Sequence, residues 1–475
     1  MSSDQLTLAD LIEGLTGIHP EGLDQPITKT VIDSRQVEPG ALFVALAGER
    51  QDGHEYVADA FSRGAVAAIV ERSVRSSALT MDLADPSRTL PSAWSLPMMI
   101  KTHSSLWALQ QVATFWRQQH DVRVIGITGS VGKTTTKELV AAVLSRRYET
   151  LKSEASYNNE IGLPLTLMHL TDKHERVVLE MGMYDVGEIA DLARIAQPHV
   201  GVVTIIAPVH LERAGSIERI VQAKAELVKA LPPAPEGVAI LNYDDERVRG
   251  MAQATHARVL YYGLSPEADL WADDIEGLGL DGIRFRLHYG DEELFVRVPL
   301  LGRHSVHTVL RAAAVGLVEG MTWQDIFEGL RGPSAQLRLV AVPGPKGSTI
   351  LDDTYNASPA STIAALNLLE ELEGRKIAVL GDMLELGDYE EEGHQKVGMR
   401  ALEVADILIT VGPRGRIIGE AALRWGMSSD QVHIVEENAE AIALLEKMMV
   451  SSDVVLVKGS RALKMEEVVS ALVRP

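Results

Sequence analysis

Short apolar runs and amphipathic stretches alternate along most of this 475-residue chain. The runs are rich in β-branched residues, which is typical of parallel strands buried on both faces. The stretches between them carry apolar residues at helical spacing and predict crossover helices. The strands predicted in this way cover residues 123–128, 177–181, 200–206, 238–242, 349–352, 377–380, 407–411, 433–435 and 454–457. The pattern therefore predicts an α/β protein with mainly parallel sheets.

The same pattern divides the chain into three parts. The first hundred residues form a small α/β unit, with predicted elements at 6–15 (helix), near 31, at 42–46 and at 65–70 (strands). A segment rich in Pro, Ser and Trp at 87–98 predicts a linker, and an amphipathic helix at 104–119 follows. A β-rich stretch at 270–298 and a helix within 302–319 close the middle part, and a turn or hairpin at 343–347 opens the last. At about 150 residues per domain, we predict three domains, 1–102, 103–332 and 333–475.

The charge balance and the missing cysteine narrow the chemistry. The chain has 45 Lys and Arg against 66 Asp and Glu, a formal net charge of −21, which argues against nucleic-acid partners and anionic membrane surfaces. Any anionic ligand must therefore be held by a local site. Without cysteine, disulfides, thiolate nucleophiles and Cys-ligated metals are excluded. Since no apolar run approaches the roughly 20 residues of a spanning helix, we expect a cytoplasmic protein with no membrane insertion.

A glycine-rich segment follows the strand predicted at 123–128. It reads Ile-Gly-Ile-Thr-Gly-Ser-Val-Gly-Lys-Thr-Thr-Thr over residues 125–136 and opens a helical pattern, which is the context of phosphate-binding loops. Lys133 would reach the β- and γ-phosphates, and the Thr134 hydroxyl would bind Mg²⁺. Ile127 stands where the usual pattern has its first glycine, and the alternative is a glycine-rich turn around a surface lysine. We interpret residues 128–135, here called the phosphate loop, as a site for a nucleoside triphosphate.

Two residues near the ends of predicted strands are candidates for metal binding. Glu180 lies at the end of the strand 177–181, and His210 follows the strand 200–206. Because the carboxyl ends of parallel strands meet where open α/β sheets bind ligands, both would lie beside the phosphate loop. A carboxylate is an ordinary Mg²⁺ ligand, whereas a histidine is less usual and a structural role for it stays open. Lys224 lies in the middle of a helical pattern and by itself is interpreted as a solvated surface lysine.

Further blocks follow one another along nearly the whole chain. In the middle they are Gly-Ser-Val-Gly-Lys-Thr-Thr at 129–135, Glu-Met-Gly-Met at 180–183, Pro-Val-His-Leu-Glu at 208–212 and Ala-Lys-Ala-Glu at 223–226. Towards the N-terminus there are Asp-Ser-Arg at 33–35 and the blocks 39–46 and 48–54. The last third has Asp-Asp-Thr-Tyr-Asn-Ala-Ser-Pro at 352–359, Gly-Asp-Met-Leu-Glu-Leu-Gly at 381–387 and Val-Lys-Gly-Ser-Arg at 457–461. Together these blocks resemble the Mur ligases of peptidoglycan synthesis.

The resemblance implies a fold and an activity. The fold would be a small N-terminal α/β UDP-sugar domain, a central P-loop ATPase-like domain with a mainly parallel sheet, and a C-terminal Rossmann-like domain. The activity would be ATP-dependent amide formation between UDP-N-acetylmuramoyl-tripeptide and D-alanyl-D-alanine through an acyl phosphate, with ATP and Mg²⁺ as cofactors. A monomer that closes its domains on the substrates is the simplest expectation. The alternatives are a family member that adds a single amino acid and a nucleotide-gated binding or transport module.

The resemblance also assigns residues to these tasks. The catalytic residues would be Lys133, Glu180, His210 and Lys224, and the metal would be held by Thr134, Glu180, His210 and Lys224, the last as a carbamate. ATP would be bound by Thr128, Gly129, Ser130, Val131, Gly132, Lys133, Thr134, Thr135, Ser305, Arg338 and Asp353. The substrates would be bound by Asp33, Ser34 and Arg35 (UDP), Asn158 and Asn159 (tripeptide carboxylate), and Tyr355, Asn356, Lys458, Ser460 and Arg461, the last three for the dipeptide carboxylate. By themselves, 33–35, 158–159 and 352–353 are interpreted as polar turns.

Several positions depart from the family pattern. Val131 stands where Asn or Lys is usual, and four residues stand where Asn is often found: Ser156, Tyr184, Ile205 and Ser305. Ser305 keeps a hydroxyl that donates and accepts, but it loses the paired amide contact to a base edge. Because the residues assigned to catalysis are all kept, we expect a competent ligase.

Overall fold

The computed structural model describes residues 5–48, 51–85, 91, 93–154, 157–208, 211–332 and 339–473. Its strands form three separate sheets, each belonging to one part of the chain. The first sheet has the order β1-β2-β3-β5-β4, and all its neighbours are parallel. The elements of this part are α1 (Leu8–Thr16), β1 (Thr30–Val31), β2 (Leu42–Val44), α2 (Val57–Ser62), β3 (Ala67–Val70), β4 (Leu79–Asp82) and β5 (Met98–Lys101).

The segment predicted as a linker, 87–98, does not separate two domains, so that prediction is wrong. Its described part connects β4 to β5, and these strands are parallel neighbours in one sheet, with Leu79 opposite Met98. A composition rich in Pro, Ser and Trp also occurs in connections within a domain, and the described residues 91 and 93–97 form neither helix nor strand. The sequence pattern did not predict β4, because β4 is a short edge strand with one buried side chain, Met81.

The middle part is a nine-stranded sheet with the order β14-β13-β12-β11-β10-β9-β6-β8-β7. Strands β6 to β12 pair in parallel, and β13 and β14 are added antiparallel. Its strands are β6 (Arg123–Thr128), β7 (Thr150–Lys152), β8 (Arg176–Glu180), β9 (Val200–Val203), β10 (Val238–Asn242), β11 (Arg258–Gly263), β12 (Leu270–Gly277), β13 (Ile283–Tyr289) and β14 (Glu292–Val298). Its helices are α3 (Ser105–Gln118), α4 (Lys133–Leu144), α5 (Gly162–Leu167), α6 (Glu188–Ala196), α7 (Leu211–Ala214), α8 (Ile217–Lys229), α9 (Glu246–Gly250), α10 (Ser305–Val318) and α11 (Trp323–Arg331).

Helices cover both faces of this sheet. On one face, α4, α10 and α11 pack together around Val143, Val309 and Ile326. On the other, α3, α5 and α6 build a second core that continues into the first sheet, because α3 also packs against α1. This arrangement leaves the carboxyl ends of the parallel strands free to carry a site.

The last part is a six-stranded sheet with the order β15-β16-β20-β17-β18-β19, parallel except for β15. The predicted turn at 343–347 is confirmed, because it joins the antiparallel pair β15 and β16. The elements are β15 (Val340–Pro343), β16 (Thr349–Asp353), α12 (Pro359–Glu371), β17 (Arg375–Gly381), α13 (Glu390–Val404), β18 (Ile407–Val411), α14 (Gly415–Arg424), β19 (Val432–Val435), α15 (Asn438–Met448), β20 (Asp453–Lys458) and α16 (Glu466–Leu472). The α/β class and the parallel-rich sheets of the prediction are confirmed. Among the described residues, no helix is both long and apolar enough to span a membrane.

Candidate active site

The phosphate loop connects β6 to α4, and two glycines set its backbone. Gly129 (φ 138°) and Gly132 (φ 85°) have positive φ, which residues with side chains rarely adopt. A Cβ on Gly129 would also lie 1.9 Å from the Thr204 Oγ1 atom. Gly132 is the N-cap of α4 and provides no side-chain cap. The first N–H groups of α4 therefore form the kind of helix N-terminus that binds phosphate.

Residues just beyond β9 hold this loop in place. The Ser130 N–H donates to the Ile205 carbonyl at 2.8 Å, and the Ser130 hydroxyl donates to the Ala207 carbonyl at 3.0 Å. The buried Thr204 hydroxyl donates to the Val131 carbonyl at 2.7 Å. The strand predicted over 200–206 ends at Val203 because the following residues turn to make these contacts. Sequence reasoning missed Thr204, although the strand-end rule that found Glu180 points to it as well.

The Glu180 carboxylate joins the phosphate loop to the segment after β7. Thr134 Oγ1 donates to one Glu180 oxygen at 2.6 Å, and Asn158 Nδ2 donates to the other at 2.9 Å. Glu180 is only 2% exposed, at the carboxyl end of β8. The structure thus brings together three residues that the sequence assigned to the metal and the tripeptide. Hydroxyl and carboxylate oxygens are the ligands that Mg²⁺ prefers.

Two lysines lie near this cluster. Lys133 folds back over the loop, and its Nζ donates to the Gly129 carbonyl at 2.9 Å. Lys224 is 2% exposed, so the interpretation as a solvated surface lysine is wrong: it lies on the face of α8 that also buries Ala223 and Leu227. Burial lowers the pKa of Lys224 well below its usual value, repulsion from Lys133 lowers it further, and Glu180 opposes the shift.

Three residues from the sequence prediction, His210, Arg338 and Ser156, lie outside the described residues.

Ser305 is the first residue of α10, and its hydroxyl donates to the Leu301 carbonyl at 2.7 Å. Thr128, the last residue of β6, donates through its hydroxyl to the Met181 carbonyl at 2.8 Å. Thr135 follows Thr134 in the first turn of α4.

A second group of predicted residues meets at the carboxyl edge of the last sheet. Lys458, at the end of β20, is buried, and its Nζ donates to Asp353 Oδ2 at 2.6 Å and to the Asn356 carbonyl at 2.9 Å. Asp353 ends the neighbouring strand β16, directly opposite Lys458. The charge of Lys458 is therefore already paired within the protein.

The residues after β20 differ in what they offer to a ligand. Ser460 is buried, and its Oγ accepts from the Leu384 N–H at 2.9 Å, which fixes the 381–387 block. The Arg461 side chain is 66% exposed, with its guanidinium 5.3 Å from the centre of the Tyr355 ring. Among the three residues assigned to the dipeptide carboxylate, Arg461 is the exposed one and has a long ion pair with Glu466 at 3.9 Å, while Lys458 and Ser460 are buried and bonded within the domain.

The remaining substrate residues take part in local turns. Asp33 accepts from the Arg35 backbone and forms an ion pair with its guanidinium at 2.7 Å. These hydrogen bonds from Arg35 lower the pKa of Asp33. Asn159 Oδ1 accepts from the Gly162 N–H at 2.9 Å and so supports the start of α5. In the turn at 33–35, Ser34 is buried, whereas Arg35 keeps most of its side chain exposed.

Three family models match the chain in the order of its three sheets. They are described as Mur ligase family, catalytic domain (residues 26–87), Mur ligase middle domain (127–316) and Mur ligase, glutamate ligase domain (337–461). The chain belongs to the Mur ligase family, as its sequence motifs indicated.

Its relatives define one branch of that family. The chain is 36% identical to the UDP-N-acetylmuramoyl-tripeptide–D-alanyl-D-alanine ligase of Bacillus subtilis, with 98% of this chain and 97% of the relative covered. A crystal structure of MurF from Acinetobacter baumannii is similar with a TM-score of 0.84 at 31% identity, covering 98% of this chain and 99% of that one. MurF ligase from Thermotoga maritima in complex with ADP gives 0.76 at 28% identity, covering 93% and 96%.

Proposed function

We propose that this chain joins D-alanyl-D-alanine to UDP-N-acetylmuramoyl-tripeptide in an ATP-dependent reaction of peptidoglycan precursor synthesis. The observation that carries the proposal is the cluster at the phosphate loop, where Lys133 and the hydrogen-bonded pair Thr134 and Glu180 lie together. The particular substrates are supported by relatives that are named for this reaction and are similar along their full length. Because ATP and nucleotide-linked sugars are cytoplasmic compounds, the proposal implies a cytoplasmic enzyme.

The reaction consists of two displacements. The terminal carboxylate of the tripeptide attacks the γ-phosphorus of ATP, the bond to the β-phosphate oxygen breaks, and ADP leaves behind an acyl phosphate. The amine of the dipeptide then attacks the acyl carbon, loses a proton and displaces phosphate, which leaves an amide. In the first step a carboxylate must approach a highly charged phosphate. The N–H groups at the start of α4 and the Lys133 ammonium would bind and neutralise that phosphate.

We also propose a Mg²⁺ site at the phosphate loop. The fit rests on the donors present: the Thr134 hydroxyl and the Glu180 carboxylate are hard oxygen ligands within hydrogen-bond distance of each other. His210 and Lys224 are proposed to complete the metal-binding set. When bound, Mg²⁺ would supply positive charge to the phosphates.

Lys224 is proposed to act as a carbamate. A buried ammonium is costly, and Lys224 lies deep in the site near Lys133, which repels a second cation. Its amine can add to the carbon of CO₂ and lose a proton, which gives an anionic carbamate. The buried ammonium would thereby be replaced by a carboxylate-like ligand suited to a cation.

The substrate assignments follow the three sheets, with residues 1–102, 103–332 and 333–475 as UDP-sugar, ATP and dipeptide domains. Asp33, Ser34 and Arg35 are proposed for the uridine diphosphate, and Asn158 and Asn159 for the tripeptide carboxylate. Asp353 of the last domain is proposed to bind the ribose of ATP. Arg338 and Ser305 are proposed to bind the rest of the nucleotide. Arg461, with Tyr355 and Asn356, would bind the dipeptide, while Lys458 and Ser460 would hold their positions.

The decisive experiment mixes the protein with ATP, Mg²⁺, UDP-N-acetylmuramoyl-tripeptide and D-alanyl-D-alanine and determines the product by mass spectrometry. Tripeptides ending in diaminopimelate, lysine and another diamine are tested separately. We expect a pentapeptide product and release of phosphate only when both the tripeptide and the dipeptide are present. Absence of product with every tripeptide contradicts the proposal, and product from single amino acids at an equal rate would favour the other type of Mur ligase.

Two variants connect the activity to the site. Lys133→Ala should abolish product formation, because the cation nearest the phosphates is lost. Lys229→Ala is the matched control, since Lys229 is an exposed lysine at the end of α8 and should retain full activity. A fully active Lys133→Ala protein would contradict the role of the phosphate loop.

A further inference from the structure

Arg311 is a buried cation that the proposed reaction does not use. It lies in the second turn of α10 and is 5% exposed. Its Nη2 donates to the Thr308 hydroxyl at 2.7 Å and its Nη1 to the Tyr262 hydroxyl at 3.4 Å. Its Nε is buried without a hydrogen-bond partner, and among the described residues no carboxylate forms an ion pair with it. A buried arginine is usually paired, because an isolated charge in a protein interior is costly.

The guanidinium faces the phosphate loop. A Cβ on Gly132 would lie 3.3 Å from Arg311 Nη2, so the missing side chain of Gly132 lets the cation approach the loop backbone. Gly132 immediately precedes Lys133 and forms the N-cap of α4. The cation therefore lies beside the turn whose N–H groups would receive the phosphates of a nucleotide.

A chain of hydrogen bonds links Arg311 to the other side of the loop. The Tyr262 hydroxyl accepts from Arg311 and donates to the Thr204 carbonyl at 2.9 Å. The Thr204 hydroxyl in turn donates to the Val131 carbonyl at 2.7 Å. Arg311 thus reaches both residues that precede Lys133: Gly132 by direct approach and Val131 through Tyr262 and Thr204.

We propose that Arg311 is a positioning residue for the nucleotide: it supports the Val131–Gly132 turn through these contacts, and its charge is balanced by the β- and γ-phosphates when they bind. The proposal rests on the ATP-binding part of the proposed function and not on the identity of the other substrates. The proposal gives the phosphate loop a source of positive charge from α10. The loop itself has the uncharged Val131 at a position where Asn or Lys is usual in the family. A cation in a dry, low-dielectric position also acts on a nearby anion more strongly than a solvated one.

The competing explanation is that Arg311 only fills space and makes hydrogen bonds between α10 and β11. The two explanations differ in how a neutral replacement changes the binding of different nucleotides. If the charge is balanced by phosphates, its loss weakens binding in proportion to the phosphates that lie on the loop. If the role is packing alone, AMP, ADP and ATP are weakened equally or not at all.

The test measures the affinities of ATP, ADP and AMP by calorimetry in the presence of Mg²⁺ but without UDP-peptide or dipeptide. Arg311→Gln is the main variant, because glutamine retains a donor for Thr308 but carries no charge. We expect ATP binding to weaken about tenfold, the size of one partly buried charge interaction, while AMP binding changes less than about twofold. In the ligase assay, KM for ATP should rise with KM for the dipeptide unchanged. Arg258→Gln, at an exposed position on β11, is the control for net charge and should change none of these values.

Arg311→Lys makes the test independent of whether the glutamine variant folds. Lysine keeps the charge but loses the planar set of donors, so the ratio of ATP to AMP affinity should stay within about twofold of the wild-type ratio. A tenfold fall of this ratio in Arg311→Lys, or an unchanged ratio in a folded Arg311→Gln, overturns the proposal. If the wild-type protein binds no ATP, the proposed function fails together with this inference. If it binds ATP but ligates no peptide, only the substrate assignment fails.

Discussion

Replacing Asp353 by asparagine should destabilise the last domain, because it leaves the buried Lys458 ammonium without its counter-charge. The two side chains meet at 2.6 Å, with Lys458 2% and Asp353 13% exposed. Breaking a buried ion pair by removing one partner costs about 3–5 kcal/mol. Lys458 keeps its hydrogen bond to the Asn356 carbonyl, and Asp353 is slightly exposed, so we expect a loss of about 3 kcal/mol.

The assay is differential scanning calorimetry at pH 7. A loss of about 3 kcal/mol should lower the transition of a domain of this size by roughly 10 °C. The double variant Asp353→Asn/Lys458→Met should be more stable than the sum of the two single losses predicts, because no unpaired charge remains. Glu392→Gln is the control, since it breaks the exposed pair of Glu392 and Lys396 on α13, where a loss of at most about 0.5 kcal/mol is expected.

An Asp353→Asn transition within about 2 °C of the wild type would refute this reasoning. Lys458 would then be solvated well enough to exist without Asp353, and it would be available for the dipeptide carboxylate, as the sequence suggested. In the structure Lys458 is buried and paired with Asp353, whereas the Arg461 side chain is 66% exposed, and we propose that Arg461 binds the ligand.

Three further predictions concern other parts of the site and the boundary between domains. With ¹³CO₂, the wild-type protein should show a carbamate carbon signal by NMR that is absent from Lys224→Ala but present in Lys229→Ala; an identical signal in all three contradicts the carbamate. Thr204→Val leaves the Val131 carbonyl without the hydrogen bond of the Thr204 hydroxyl, a loss of about 1–3 kcal/mol, so KM for ATP should rise about tenfold while Thr204→Ser stays near wild type. Burial raises the pKa of Glu371 and Arg303 opposes the shift, so the folded state holds this proton to higher pH than the unfolded state and loses the associated stability as pH rises. The difference in Tm between Glu371→Gln and wild type should therefore increase in favour of the variant from pH 4 to pH 7, and a constant difference would contradict it.

The sequence was sufficient for the parts of the site that depend on one strand and its end. Glu180 could be placed beside the phosphate loop because parallel strands share their carboxyl edge, and the contact with Thr134 agrees with that placement. The placement of the glycines and the lysine at 129–133 could likewise be predicted, because it depends only on a local turn and the start of a helix. These features need only the order of neighbouring residues and the general geometry of α/β sheets.

The features that the sequence could not show depend on contacts between distant segments. Lys224 lies in a helical pattern that is equally compatible with an exposed and a buried lysine, and the packing of α8 against the site decides between them. Lys458 finds its partner Asp353 on another strand, more than a hundred residues earlier in the chain. The strand β4 was missed for a different reason, since a four-residue edge strand with mixed polarity carries no clear periodic signal.

Three of the buried cations in this acidic chain, Lys458, Lys224 and Arg311, are stabilised in different ways. Lys458 is paired with Asp353 whether or not a ligand is bound, which suits a residue that supports the framework of the last domain. Lys224 and Arg311 lie in the central domain near the phosphate loop, and we propose a carbamate for the first and nucleotide phosphates for the second. In both cases the balancing charge comes from a small molecule. The ion pair of the last domain needs no ligand, whereas in our proposal Lys224 and Arg311 each acquire their balancing charge from one. We therefore expect ligand binding to stabilise the central domain more than the last one.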